Sequence, residues 1–169
     1  MSAPRPLAVQ PLTREAFAPY GDVIEAGDAQ SFAVNSGTAQ RFNDLAHVDV
    51  AAQGGHPLVS IFRGQPISLP MQISEMERHP LGSQVFMPIG ELPFLIVVAA
   101  DAGDRPGEPV AFLSNGRQGV NYRRGTWHHP LLSLDVVSDF LVLDRGGAGE
   151  NCDVAPLPSP RLIDRLRQG

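Results

Sequence analysis

The feature that most constrains the fold of this chain is a series of short apolar runs, rich in β-branched residues and bounded by turn residues. Such runs are typical of β-strands rather than helices. They lie at residues 57–69, 84–89, 93–100, 109–113, 119–128 and 134–143. The 17 Gly and 16 Pro are scattered among the 169 residues, which suits many short strands joined by turns. The sequence therefore predicts a mainly β fold, an antiparallel sandwich or barrel.

Helix signals are confined to the two ends of the chain. Thr13 could cap a single turn over residues 14–17, and Ser159-Pro160 predicts a short terminal helix over residues 161–168. The length suits one domain. We expect a single domain over 1–169, with a barrel core at about 48–145, an N-terminal extension at 1–47, and a C-terminal tail with the short helix at 146–169.

Composition limits the possible partners and chemistry. The net charge is −5 and no basic stretch is longer than Arg123-Arg124, so a nucleic-acid footprint is absent. The single cysteine, Cys152, fits a reducing cytoplasm, and no stretch approaches the ~18–20 apolar residues of a membrane span. We expect a soluble, cytoplasmic protein without nucleic-acid or membrane partners. All 13 basic side chains are Arg, which excludes lysine Schiff-base catalysis and leaves arginine to bind anionic substrates.

Two chain regions concentrate polar side chains where a core strand is expected. Glu75, Glu77 and His79 alternate along the chain and therefore share one face of an extended strand. Gln84 follows a turn, and His128 lies in the second concentration, residues 123–131. Carboxylates and imidazoles are costly to bury without partners, so this face is either a solvated strand face or a functional site.

These residues resemble an altered form of the cupin signature, that of small double-sheet β-barrels (jelly rolls) with a ligand or metal in the mouth. Glu77-x-His79-x4-Gln84 matches the ligand spacing of the first cupin motif, and the sequence from Gly125 to His128 matches the G-x-x-H of the second. The resemblance implies that Glu77, His79, Gln84 and His128 hold a divalent metal. Nitrogen and oxygen donors suit Ni, Zn or Mn. No organic cofactor is expected.

Several separate stretches are similar to the bacterial ureidoglycolate lyase family. They are PYGDVIE (19–25), RFNDLA (41–46), MERHPLGSQVFMP (76–88), GVNYRRGTWHHPL (119–131) and VSDFLVLDRGG (137–147). The resemblance implies a cupin homodimer that eliminates urea from (S)-ureidoglycolate to give glyoxylate, in allantoin and purine nitrogen breakdown. A nickel requirement is associated with such enzymes.

The roles that follow are hypotheses. Glu77, His79, Gln84 and His128 bind the metal or, without one, the substrate, and Glu75 or His129 shuttles a proton. Candidate substrate ligands are Arg63 as the preferred carboxylate clamp, Arg41 or Arg78 as second choices, and Asn35 for the urea group. Arg63 could instead pair with Asp135 or Asp139, and Arg41 with Asp44.

Two rival functions share the same polar cluster. One is a non-catalytic cupin that binds a small carboxylate, and the other is a different cupin enzyme, such as an isomerase or an amidohydrolase that releases ammonia. Both need a pocket with a few convergent polar groups. The released product, urea or ammonia, separates the lyase from the hydrolase.

Overall fold

The computed structural model describes residues 3–166, and strands dominate it: 52% of the chain is strand and 6% helix. The prediction of a mainly β, jelly-roll-type fold with a few short helices is confirmed. The α-helix Arg14–Phe17 (α1) is capped by Thr13, whose Oγ1 accepts a hydrogen bond from the Ala16 amide (3.2 Å). Short 3-10 turns lie at Asn35–Gly37 and Ala52–Gly54. None of the described helices is long and apolar enough to cross a membrane.

The described residues form sixteen strands. In chain order these are β1 (Arg5–Pro6), β2 (Val9–Pro11), β3 (Gly21–Ile24), β4 (Ser31–Val34), β5 (Ala39–Phe42), β6 (His56–Gly64), β7 (Pro66–Ile67), β8 (Met71–Arg78), β9 (Gln84–Pro88), β10 (Phe94–Asp101), β11 (Pro106–Leu113), β12 (Gly119–Tyr122), β13 (Trp127–His128), β14 (Leu132–Leu134), β15 (Ser138–Gly146) and β16 (Asp153–Ile163).

Within residues 3–166 the strands pair into a large sheet, a small sheet and a hairpin. The large sheet has the order β1-β16-β8-β13-β10-β11-β2. In addition, β14 pairs with β10, and β7 pairs with β14. The small sheet has the order β3-β12-β9-β15-β6, and β4 pairs only with β5. Strands β2, β3 and β16 lie outside residues 48–145 but are hydrogen-bonded into these sheets, so strand pairing extends beyond the predicted core.

The central strand β10 explains why residues 93–100 are apolar without alternation. One set of its side chains packs between the two sheets, and the other set packs on the opposite face of the large sheet. The first set is Phe94, Ile96 and Val98, and the second is Leu95, Val97 and Ala99. Between the sheets, the rings of Phe94 and Phe140 meet with centroids 5.0 Å apart. A strand covered on both faces must be apolar on both, and each fully buried large side chain contributes about 1.5–3 kcal/mol.

Two of the places where the chain crosses between the sheets are neighbouring corners. It leaves the large sheet after β8 and enters the small sheet at β9, and it returns from β12 to β13. The predicted run 119–128 is therefore two strands in different sheets, separated by a turn in which Gly125 has φ +80°. The Gly125 amide donates to the carbonyl of His79 (2.9 Å), which ties the two corners together.

The predicted C-terminal helix over residues 161–168 is wrong for the described residues. Positions 161–163 belong to strand β16, and 164–166 have no regular structure. Residues 167 and 168 of that prediction lie outside the described range. Prolines at 156, 158 and 160 favour an extended chain, and buried Leu157 and Ile163 dock this strand against the large sheet. Tertiary packing therefore overrides the local helix-start signal.

Arg161 anchors this last strand. Its side chain is buried, and its guanidinium donates to both carboxylate oxygens of Glu108 and to the backbone carbonyls of Ser159 (2.7 Å) and Pro160 (3.3 Å). Arg161→Met keeps the apolar stem but removes all of these hydrogen bonds. We expect the free energy of unfolding, measured by urea denaturation, to fall by about 1–3 kcal/mol.

Arg117→Met is the matched control, because Arg117 pairs with Glu91 on the surface with both side chains mostly exposed. Exposed pairs are worth about 0–1 kcal/mol. Equal losses in the two variants would show that the buried guanidinium does not hold β16 in place.

Candidate active site

Three ionisable side chains converge where the two corners meet. Glu77 comes from β8, His79 from the first corner and His128 from β13, and one ligand atom of each lies within 4.8 Å of the others. Glu77 Oε1 is 3.5 Å from His128 Nε2 and 3.9 Å from His79 Nε2. Among residues 3–166, this is the one group of three or more His, Cys, Asp or Glu with such spacing.

Strand register explains the convergence. Glu77 on β8 lies directly opposite His128 on β13, and directly opposed residues of antiparallel strands point to the same face. His79 extends beyond the end of β8 on the same parity as Glu77, and its ring centroid lies 5.1 Å from that of His128. Alternation along the sequence predicted the shared face of Glu77 and His79, whereas only the sheet pairing places His128 beside them.

Backbone carbonyls fix the tautomer of both histidines. His79 Nδ1 lies 2.7 Å from the carbonyl oxygen of Asn151, and His128 Nδ1 lies 2.9 Å from that of Thr126. A carbonyl oxygen can only accept, so Nδ1 of each ring carries the proton and donates it. Each Nε2 therefore faces the cluster, the arrangement by which metal-ligating histidines are usually oriented.

Gln84 adds a fourth group from the other sheet. It is buried at the start of β9, and its amide Nε2 donates to Asp144 Oδ2 (3.3 Å). That bond turns Gln84 Oε1 toward His79 Nε2, at 3.1 Å. Asp144 thus orients a predicted site residue although sequence reasoning gave it no role.

The donor set fits a divalent cation. With both Nδ1 atoms protonated, the cluster presents four acceptors: the Nε2 atoms of His79 and His128, and the Oε1 atoms of Glu77 and Gln84. His128 Nε2 is buried and has no hydrogen-bond partner among the described residues. Acceptors repel one another unless a proton or metal cation lies among them. Metal–ligand bonds of about 2.0–2.2 Å place ligand atoms about 3–4 Å apart, close to the observed spacing.

The protonation states of Glu77 and Tyr122 follow from their surroundings. When His128 also carries a proton on Nε2, a hydrogen bond from that proton lowers the pKa of Glu77, although burial opposes this, so Glu77 is then ionised at neutral pH. Burial, and then the charge of Glu77, raises the pKa of Tyr122 well above its usual value. The Tyr122 ring stacks on His128, with centroids 4.2 Å apart. Tyr122 is therefore a neutral packing partner of His128, which sequence reasoning missed despite their shared parity.

Cys152 lies at the edge of the cluster, with its Sγ 4.0 Å from Glu77 Oε2. Burial raises the pKa of Cys152, and the charges of Glu77 and Asp153 raise it further. The side chain is therefore a thiol rather than a nucleophilic thiolate. No motif in the sequence placed it near Glu77.

A cavity of about 330 Å³ adjoins the cluster. Its lining residues are Phe62, Arg63, Gly64, Glu77, Gln84, Phe86, Pro130 and Leu131. Glu77 and Gln84 form its polar end, and Phe62 and Phe86 form an apolar wall in which their rings meet edge to face, 5.6 Å apart. Larger cavities of about 420 and 550 Å³ lie elsewhere, but none is lined by members of the cluster. This volume suits a small substrate.

Arg63 lines this cavity but is already paired. Its Nε and Nη2 donate to the two carboxylate oxygens of Asp139, at 2.8 and 2.9 Å. The alternative that Arg63 meets a carboxylate of the chain is therefore observed. This pairing uses two of the five guanidinium N–H groups and leaves both N–H groups of Nη1 and one of Nη2 as donors.

The other predicted site residues lie apart from the cluster. Arg78 faces the opposite side of β8, where it donates to Asp153, Asp101 and Asp104 and covers the ring of Trp127. Exposed Asn35 and Arg41 lie on the β4–β5 hairpin, where the Arg41 guanidinium sits 6.0 Å from the Phe32 ring centroid. Glu75 is exposed, two residues before Glu77 on the same strand. Within residues 3–166, none of Glu75, Arg78, Arg41 and Asn35 hydrogen-bonds to a cluster member.

Comparison with known proteins finds one family over nearly the whole chain. The ureidoglycolate lyase family matches residues 4–164. A curated ureidoglycolate lyase of Burkholderia cepacia is 56% identical over 93% of this chain and 89% of that protein. Ureidoglycolate lyase 1 of Rhizobium meliloti (strain 1021) is 54% identical over 87% of this chain and 86% of its own. A ureidoglycolate lyase of Brucella melitensis biotype 2 is 55% identical over 87% of each chain.

The acceptor cluster predicts a binding stoichiometry. Chelator-treated protein, titrated with Ni²⁺, Zn²⁺ or Mn²⁺ in a calorimeter, should bind one ion per chain. His128→Phe preserves the stacking on Tyr122 but removes Nε2, and should weaken binding at least about 100-fold, since even outer-shell changes cost 10–100-fold. His56→Phe alters an exposed histidine outside the cluster and should bind like the wild type. Equal affinity in both variants would exclude His128 as a ligand.

Proposed function

The chain belongs to the ureidoglycolate lyase family, and we propose that it eliminates urea from (S)-ureidoglycolate, leaving glyoxylate. The chain is an enzyme, as its curated relatives are. The observation that carries the assignment to this site is the convergence of Glu77, His79 and His128 beside a small cavity. We infer that these three residues, with Gln84, form the reactive centre.

The reaction moves one proton within the substrate. The hydroxyl on the central carbon loses its proton and becomes the aldehyde carbonyl, while the carbon–nitrogen bond breaks and the departing urea nitrogen gains a proton. Urea anion is a poor leaving group, so protonation of this nitrogen is the larger part of the barrier. A positioned acid or base contributes about 10²–10⁴-fold to the rate.

The cluster offers groups for both transfers. Without a bound ion, Glu77 is ionised and can accept the hydroxyl proton, whereas an imidazole that also carries a proton on Nε2 can deliver it to nitrogen. Glu75 lies on the same strand face and is the proposed relay to solvent. Asp144 holds Gln84 so that its carbonyl oxygen points into the site.

We propose that Glu77, His79, Gln84 and His128 hold a divalent ion, of which Ni, Zn and Mn suit the donor set. When bound, such an ion supplies Lewis-acid polarisation that lowers the pKa of the substrate hydroxyl. With the ion bound, these four residues would act as ligands, and Glu75 or His129 would move the proton. We propose no organic cofactor.

Arg63 is the preferred clamp for the substrate carboxylate, since it lines the cavity; its side chain is 68% exposed beside Asp139 on the outer face of β6 and would have to turn toward the cavity. Arg78 is less suited because three carboxylates already engage it on the other side of the strand. Arg41 and Asn35 would have to reach the site by movement of their hairpin or from another copy of the chain.

Several broader assignments complete the proposal. We propose that the jelly roll is of the cupin type, that the chain is one domain, and that the protein is a cytoplasmic homodimer in allantoin and purine nitrogen breakdown. The family membership and the single cysteine support these assignments.

The product identifies the reaction. Purified protein given (S)-ureidoglycolate should release urea and glyoxylate in equal amounts, measured enzymatically in parallel samples. Ammonia in place of urea would identify a hydrolase, and the absence of any product would favour a binding protein.

The roles of the imidazoles are tested by substitution. His79→Ala and His128→Ala should each lower kcat by at least about 10²-fold, because each removes a positioned acid–base group, while circular dichroism stays unchanged. His47→Ala, an exposed histidine outside both the cluster and β6, should keep wild-type kcat. Near-native activity in either cluster variant would refute its assigned role.

A further inference from the structure

Strand β6 forms an unprotected edge of the small sheet. Within the described residues it pairs only with β15, so its other row of backbone amides and carbonyls faces outward. Natural edge strands are usually protected by charges, prolines, bulges or shortness. β6 is nine residues long and pairs with β15 without a bulge, and although Pro57 and Arg63 lie near its two ends, its central run from Leu58 to Phe62 has neither a charge nor a proline. Such an edge is a template for another strand.

The same strand exposes apolar side chains on both of its faces. On the outer face Val59 is 70% exposed and Ile61 55%, beside Leu141 at 40%. On the face toward the large sheet, Leu58 is 42% exposed and Phe62 40%. Apolar groups exposed together on both faces of an edge strand mark an interaction surface rather than scattered surface residues.

The sequence of β6 is self-complementary when two copies run antiparallel about Ser60. Ser60 then meets its own copy on the axis, Val59 lies opposite Ile61 on the outer face, and Leu58 lies opposite Phe62 on the inner face. Every apolar residue thus meets an apolar residue on its own face. Along an edge strand, every second residue directs its amide and carbonyl outward. In this register either alternate set of one copy meets the same set of the other copy and can hydrogen-bond with it.

We propose that two copies of the chain pair through β6 in this register and join their small sheets into one continuous sheet. A two-fold antiparallel pairing uses the free edge of both copies, so the assembly closes at two chains. The occupant of this surface is therefore a second copy rather than an open series of strands.

Size and charge agree with this occupant. Nine residues at 3.4 Å each span about 30 Å, and side-chain strips about 10 Å wide on both faces give roughly 600 Å² per copy, near the ~800 Å² of a standard interface. The nearest charge, Arg63, is neutralised within its own copy by Asp139. The pairing therefore brings no uncompensated cations together.

The pairing would also complete the cavity beside the cluster. Phe62 forms part of the cavity wall at the β6 edge, where the small sheet ends. In the proposed register Leu58 of the partner subunit lies opposite Phe62 and covers that open side. Each copy would thus contribute an apolar side chain to the site of the other. This inference deepens the homodimer proposed above and, for this last step, rests on the proposed site.

Disulfide trapping tests the register, because Cys152 is the single native cysteine. Ser60→Cys in a Cys152→Ser background places two thiols on the axis, where opposed Cα atoms are about 4.5–5.5 Å apart, within disulfide range. Mild oxidation should give a covalent dimer on a non-reducing gel. Val154→Cys in the same background is the control, because Val154 is 61% exposed but lies on the large sheet, and it should stay monomeric.

Sedimentation equilibrium and kinetics supply the other readouts. The wild type should have the mass of two chains, and Ile61→Lys should have the mass of one, because each introduced ammonium would be placed against the apolar Val59 of the partner subunit, diagonally across the axis from the other ammonium. Ile61 does not line the cavity, so a fall of at least about tenfold in kcat/KM, with an unchanged circular dichroism spectrum, would reflect the lost partner.

Each failure has its own meaning. A monomeric wild type would overturn the pairing together with the homodimer, and neither the mass nor the cross-link depends on lyase activity. A wild-type dimer without the Ser60 cross-link would overturn the register alone. A monomeric Ile61→Lys variant with full activity would overturn the contribution of the partner subunit's Leu58 to the cavity.

Discussion

The chemistry of this molecule depends on two hydrogen bonds from imidazole to backbone. The carbonyls of Asn151 and Thr126 accept from Nδ1 of His79 and His128, so both Nε2 atoms face Glu77. Without them either ring could turn a protonated nitrogen toward its neighbours and form an ordinary hydrogen-bonded cluster. With these two hydrogen bonds in place, the site is a set of hydrogen-bond acceptors, and a cation or a transferred proton is needed to relieve their mutual repulsion. The site is thus poised for catalysis at some cost in stability.

The two corners of the chain hold those carbonyls and rings in place. The bond from the Gly125 amide to the carbonyl of His79 joins the corners, and residues on either side of each corner belong to different sheets. The cluster therefore takes Glu77 and His128 from one sheet and Gln84 from the other. Its geometry depends on how the sheets face each other, and ring contacts from Phe140 through Phe86 and Tyr122 connect the core to His128.

Residues that are close to the cluster in sequence make different contacts in the folded chain. Arg78 adjoins Glu77 but points to the other side of the sheet, where it is held by carboxylates and the Trp127 ring. Tyr122 is six positions from His128 yet lies flat against it. Alternation, a local property of an extended chain, puts Arg78 on the face opposite Glu77, although the sequence had suggested Arg78 as a second-choice substrate ligand. Parity could not reveal Asp144 or Cys152, whose positions depend on contacts between distant strands.

The sequence by itself determined the mainly β class, the turn capped by Thr13, and the shared face of Glu77 and His79, because periodicity and capping act between near neighbours. Its motif spacing also selected His128. Only the tertiary structure decided that residues 161–163 join a strand, that Arg63 is bound by Asp139, and that Arg41 and Asn35 lie on an exposed hairpin. These outcomes depend on which strands pair and in what register, and pairing is set by burial summed over the whole chain rather than by local preference.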